Sequence, residues 1–193
     1  GTIVGGASQT DGGYFGKGMS FDGDGDRVDL GNEAKFNFTN STNNFTISAW
    51  VYRSDGLTST KWFIKKQSNY DGGYKFGYHA SGRWQFQIDD GTDHDSRNYL
   101  SGVFTDFSPN NKWIHLVATY NGLQYNLTFY VDGEFKTNRV NTDIDDFHTI
   151  NSLYIGLEWN GTIDDVMIFN RSLSANEIQA MYANQTTKYL NAS

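Results

Sequence analysis

The sequence contains no cysteine and a single proline, Pro109. Without cysteine, disulfides, thiolate catalysis and thiolate metal ligands are all excluded. A cytosolic protein fits that absence, and a secreted prokaryotic protein fits it equally. Long apolar runs are missing too. The longest, such as Val166 to Phe169, last only a few residues, so no membrane-crossing helix is written in the chain. Positive charge is scarce, with 15 Lys and Arg against 22 Asp and Glu, a net charge of −7. That balance speaks against nucleic acid, whose phosphates need a basic patch, and against anionic lipid. No signal-peptide pattern opens the chain, so export would mean that such a segment had been removed.

Aromatic residues make up 16% of the 193 residues, and 21 glycines supply turns. Both suit one domain with a strand-built core. Phe45, Ile47, Ala49 and Val51 alternate with Thr46, Ser48, Trp50 and Tyr52, which is the period of a strand. Trp62 to Lys66 gives a shorter strand. Tyr74, Phe76 and Tyr78 form another alternating set, and Trp84, Phe86 and Ile88 a further one. Lys112 to Tyr120 is the most apolar run and reads as a central strand. It turns at Asn121-Gly122 into Gln124 to Val131, which ends at Asp132-Gly133; both dipeptides are hairpin signals. Ser152 to Leu157 and Thr162 to Phe169 close the series. Ser174 to Glu177 is a capping box, and Ile178, Met181 and Tyr182 line one face of the helix it starts. These signals predict an all-β antiparallel sandwich of jelly-roll type with one short C-terminal helix. The first dozen residues are Gly-rich and weakly patterned.

The stretch SFDGDGDRVDL, Ser20 to Leu30, reads as a hairpin whose turn carries Asp22, Asp24 and Asp26. Three carboxylates so close together repel one another unless water or a cation screens them. Asp22 to Glu33 mimics the acidic spacing of an EF-hand, but Arg27 stands where that loop needs glycine and the flanks are strand-like, so it is not one.

Six motifs occur in order: FGKGMSFDGDGDRVDLG at 15–31, FTISAWVY at 45–52, KWIHLVATY at 112–120, FYVDGE at 129–134, LYIG at 153–156 and GTIDDVMIFNRSLSANEIQAMY at 161–182. Together they resemble the laminin-G-like, concanavalin-A-like lectin jelly-roll family. The resemblance implies one domain over residues 1–183, a polar tail over 184–193, and a binding or adhesion role. It also implies a structural calcium ion (Ca2+) between the early acidic turn and the pair opening the last strand. Here those are Asp22, Asp24 and Asp26 on one side and Asp164 and Asp165 on the other. Family members usually begin with a further strand, which is absent before Gly1. The tail around Lys188 to Asn191, or a strand donated by another copy, could fill that slot and make a homo-oligomer or polymer.

A second acidic loop, Asp89 to Asp95, offers Asp89, Asp93 and His94 to a cation or a sugar. Tyr70, Asp71 and Trp159 would supply neighbouring polar and aromatic surface. The plainer reading is a solvated loop beside a core tryptophan. Catalysis is not supported. The only glutamates are Glu33, Glu134, Glu158 and Glu177, none with an acidic partner at alternate strand positions, and the four histidines lack metalloprotease spacing. Sequons occur at Asn37, Asn40, Asn44, Asn126, Asn160, Asn170, Asn184 and Asn191, against roughly three expected by chance. That excess points to a glycosylated cell-surface protein. Two non-enzymatic expectations follow: an extracellular module binding carbohydrate or a surface protein, or a self-assembling, glycan-coated filament protein.

Overall fold

A computed structural model describes residues 1–38, 43–54, 59–67, 72–91, 99–105, 111–142, 144 and 151–192. Among these residues, fourteen strands are followed by one α-helix. The strands are β1 (Thr2–Val4), β2 (Ser8–Gly13), β3 (Gly16–Asp22), β4 (Arg27–Asp29), β5 (Phe45–Arg53), β6 (Lys61–Lys66) and β7 (Gly73–His79), then β8 (Arg83–Asp89), β9 (Tyr99–Thr105), β10 (Trp113–Asn121), β11 (Asn126–Val131), β12 (Glu134–Val140), β13 (Tyr154–Ile155) and β14 (Asn160–Phe169). The helix α1 is Ala175–Ala192. The first sheet runs β1-β4-β13-β6-β7-β8-β9 and the second β12-β11-β10-β5-β14-β3-β2. All recorded pairings are antiparallel, as the alternating sequence pattern predicts.

The core lies between the sheets. Phe63, Tyr74, Phe76, Trp84 and Phe86 of the first sheet meet Phe45, Ile47, Leu116, Tyr120 and Phe129 of the second, all nearly or fully buried. β5 and β10 read as apolar on both faces because they are covered twice. Their outer side packs under α1, where Val117, Tyr130, Leu173 and Ile178 form a second cluster. In that layer Trp50 stacks on Tyr14 with centroids 3.5 Å apart, and on Tyr182 at 5.7 Å. His115 sits beneath the helix with no exposed surface; its Nε2 is 2.8 Å from Ser48 Oγ, and its Nδ1 is buried without a partner.

Two local expectations change. Asp132 (φ 51°) and Gly133 (φ 76°) make the tight turn the dipeptide predicts, whereas Asn121 stays extended and β10 reaches β11 through a short 3-10 turn, Gly122–Gln124, with Tyr125 left-handed. The helix is not short. It continues through the predicted tail, because Gln185 lies on the same face as Ile178 and Tyr182 and is buried against the sheet. That tail therefore does not fill a strand slot. Finally, β14 meets β3 only through Asn160 to Ile163, while Met167 to Phe169 pair with β5 on one side, and no described strand pairs their other side.

Candidate functional site

The aspartate-rich stretch is not a hairpin. β3 lies in the second sheet and β4 in the first, so the turn between them carries the chain across the sandwich. Gly5 and Gly6 make the neighbouring crossing from β1 to β2. Asp26, only 3% exposed, joins the two corners. One of its carboxylate oxygens accepts the Gly6 amide and the other accepts the Asp22 amide at 3.3 Å. Gly5 holds φ 76°, and a Cβ there would lie 2.5 Å from Asp26 Oδ1, so only glycine fits. Asp22 Oδ1 accepts the Asp24 amide at 2.8 Å, closing an Asx turn.

Asp164 and Asp165 perform a similar task elsewhere. Asp164 accepts the amide of Phe15 at 2.8 Å through Oδ2 and that of Asp165 at 2.7 Å through Oδ1. Asp165 occupies a bulge with φ 46° and accepts a hydrogen bond from Gln185 Nε2. Gln185 Oε1 in turn accepts the indole N–H of Trp50 at 3.0 Å. Asp22 is in register with Asn160, which places it roughly 13 Å along the strand from Asp164. The five carboxylates are therefore divided between two places, and those of Asp26 and Asp164 have both oxygens on amides. Among the described residues no three acidic or histidine side chains are grouped to hold a metal ion. The expected calcium clasp does not fit this donor set. Amide hydrogen bonds do the pinning instead.

The expected sugar pocket also changes. Trp159 has no exposed surface, packs on Phe63 and Trp84, and donates its indole N–H to the Tyr52 carbonyl at 3.1 Å, so it belongs to the core. Asp89 accepts Gln67 Nε2 at 2.7 Å and the Gly91 amide at 3.0 Å, closing its own turn. Tyr70, Asp71, Asp93 and His94 lie outside the described residues. Of the sequons, Asn170 and Asn184 are exposed, while Asn37, Asn44, Asn126 and Asn160 are partly buried. Asn44 Oδ1 already accepts the Gly122 amide at 2.8 Å. Asn40 lies outside the described residues, as does the side chain of Asn191.

A different surface emerges from the registers. Asp29, Tyr154, Lys65, Lys75 and Gln87 lie side by side across the first sheet. Trp62 and Gln85 flank the next row through Gly77. They alternate with the buried residues of β7 and β8, so they face away from the core, and all are partly exposed. The Lys75 ammonium sits 4.7 Å from the centre of the Trp62 ring, and the Arg27 guanidinium 5.4 Å from that of Tyr154. Lys65 pairs with Glu158 at 3.0 Å. Burial lowers the pKa of Lys75, with Lys65 adding to the effect and Asp89 and Glu158 opposing it. Whereas α1 covers the outer face of the second sheet, no described element lies over this one. It presents two aromatic rings among amide, cationic and anionic groups, a surface suited to holding a polar ligand with apolar ring faces.

Residues 22–179 match the model of the concanavalin A-like lectin/glucanase superfamily. The chain belongs to that superfamily. A curated relative, the non-toxic nonhemagglutinin of Paraclostridium bifermentans, is 29% identical over 156 residues, covering 77% of this chain and 12% of the relative. Among solved structures, the binding domain of Paraclostridial Mosquitocidal Protein 1 superposes with a TM-score of 0.77 at 17% identity, covering 95% of this chain and 47% of that one. The receptor binding domain of botulinum neurotoxin C/D mosaic serotype gives 0.78 at 19%, covering 95% and 46%. The serotype D ligand binding domain in complex with N-acetylneuraminic acid gives 0.77 at 18%, covering 95% and 45%. The chain thus spans about an eighth of its curated relative and just under half of each of these structures. At such identities the structures establish the superfamily's sandwich and not a ligand.

This face is less conspicuous in the sequence than the carboxylate clusters. Its signal was present as the polar half of two alternating strands, Lys75 and Gln85-x-Gln87, opposite core aromatics.

Proposed function

We propose that this chain is a non-catalytic, extracellular binding module that takes carbohydrate, or the glycan of a surface protein, on the outer face of its first sheet. The observation that carries the reading is the row of Trp62 and Tyr154 among Gln85, Gln87, Lys65 and Lys75, partly exposed on a face over which no described element lies. Aromatic faces hold sugar rings, and planar amides and charges read hydroxyl or carboxylate positions. That a relative of the same fold is known with N-acetylneuraminic acid supports testing acidic sugars first. The lysines on this face are the groups an acidic sugar would need.

A glycan array with the 193-residue chain tests the reading. Binding is expected to fall about tenfold in Trp62→Ala, the ~1.4 kcal/mol of one aromatic contact, with the melting temperature little changed. No binding to any glycan, or binding unaffected by Trp62→Ala and Tyr154→Ala, would remove the proposal. Glycosylation remains part of the extracellular reading, and Asn170 and Asn184 are the exposed acceptors. Intact-mass measurement of native material is expected to show hexose-containing additions there.

A further inference from the structure

Trp62 lies against the strand beside it because that strand has a glycine at the contact. A Cβ at Gly77 would fall 2.8 Å from Trp62 Cε3 and 2.0 Å from the Lys61 carbonyl oxygen, so a side chain there would push the indole off β7. Lys75, two residues from Gly77 and on the same outward face, brings its ammonium to 4.7 Å from the centre of that ring. The ring on which a sugar would stack is thus already engaged by a cation of the protein itself.

The charges around Lys75 leave it undercompensated. Its register partner on β6 is Lys65, and like charges placed directly across a ladder repel. Glu158 favours the Lys75 ammonium but is ion-paired with Lys65 at 3.0 Å. Asp89 favours it too, yet one of its oxygens accepts Gln67 Nε2 and the other the Gly91 amide. Burial, with Lys65 adding to it, holds the pKa of Lys75 below the ordinary lysine value. The negative face of an indole is a weaker partner for an ammonium than a carboxylate bonded to it directly. An anion arriving at Lys75 therefore draws the ammonium off Trp62 and frees the ring. A neutral sugar offers the ammonium no such exchange and must displace it at a cost.

Resting on the carbohydrate reading above, we propose that Lys75 is the specificity-determining residue of this face: its ammonium occupies the Trp62 ring until an anionic group on the ligand draws it away, so that the face takes acidic sugars and rejects their neutral counterparts. Gln85 and Gln87, in register with Gly77 and Lys75, flank the same ring on β8 and are placed to meet the hydroxyls of that sugar. Lys65, held by Glu158, adds positive charge without competing for the ring.

The test is a glycan array on which each acidic glycan is printed beside its methyl ester, so that the two differ only in charge. The 193-residue chain is expected to bind the acids at least about tenfold more tightly than the esters. Lys75→Gln should abolish that preference, and Lys75→Arg should keep it. Lys75→Thr, which removes the arm and suits a strand, should weaken the acids about tenfold and strengthen the esters roughly threefold, the worth of an exposed cation–π contact. Unchanged melting temperatures would show that the variants are folded. In the free chain the Lys75 methylene protons next to the ammonium should resonate upfield, shielded by Trp62, and move downfield when an acidic glycan binds. Equal binding of acids and esters, both lost in Trp62→Ala, would overturn the role of Lys75 and leave the carbohydrate reading intact. A preference that survives in Lys75→Gln would overturn it likewise. Failure to bind any glycan would remove the carbohydrate reading and this inference together.

Discussion

Asp26 reaches beneath Gly6 and accepts its backbone amide, so that two chain crossings distant in sequence are fastened by one carboxylate. The Asp22 amide takes the other oxygen, and the side chain is almost wholly shielded from water. Charge-assisted bonds of this kind are each worth about 1.5–3 kcal/mol, and breaking them strands buried donors. Asp26→Ala is expected to lower stability by about 3 kcal/mol in urea unfolding. Gly5→Ala should be comparably harmful, because a Cβ would collide with the same carboxylate while the backbone is held at positive φ.

Chelation gives the complementary result. Since amides hold Asp26 and Asp164, excess EDTA is expected to leave the melting temperature unchanged. A fall on chelation, restored by calcium, would show that a cation and not the amides closes these corners.

His115 makes stability depend on acid. Burial pushes its pKa down to about 4 from the ordinary 6.5, so the folded chain holds the ring neutral. The unfolded chain binds a proton below pH 6.5 and the folded chain resists it, so stability falls as pH drops from about 6.5 to about 4. The loss amounts to on the order of 3 kcal/mol. His115→Gln should flatten this part of the stability–pH curve, which unfolding by urea at stepped pH would reveal.

The end of the helix is structural. Truncation after Ala183 removes Gln185 and leaves the buried Trp50 indole without its acceptor. We expect a loss of about 2 kcal/mol and a shift in Trp50 fluorescence, whereas a dispensable tail would change neither.

Much of this was legible in the chain. The strands at 45–53, 73–79, 83–89 and 113–121 declare themselves through alternation or continuous apolarity, because one or both of their faces are buried. The Ser174–Glu177 capping box is local chemistry and forms as written, with both Ser174 N–H and O–H bonded to Glu177. By contrast, β1 and β2 were illegible. They are short edge strands, largely exposed, and so carry no burial pattern. Helix α1 looked too short because Gln185, a polar residue on its buried face, interrupts the apolar periodicity that tertiary partners make tolerable.

The sequence by itself determined the class of fold, the capped helix and the absence of thiol and membrane-helix chemistry, since these depend on neighbours along the chain. Only the tertiary structure decided what the aspartates do. A row of carboxylates looks the same in sequence whether it meets a cation, water or buried amides, and the choice is made by segments far away. Gly6 lies 20 residues from Asp26, and Phe15 lies 149 from Asp164. The side-by-side placing of Trp62, Lys65, Lys75, Gln85, Gln87 and Tyr154 on one face is likewise a property of how the sheets are ordered, which local alternation does not encode.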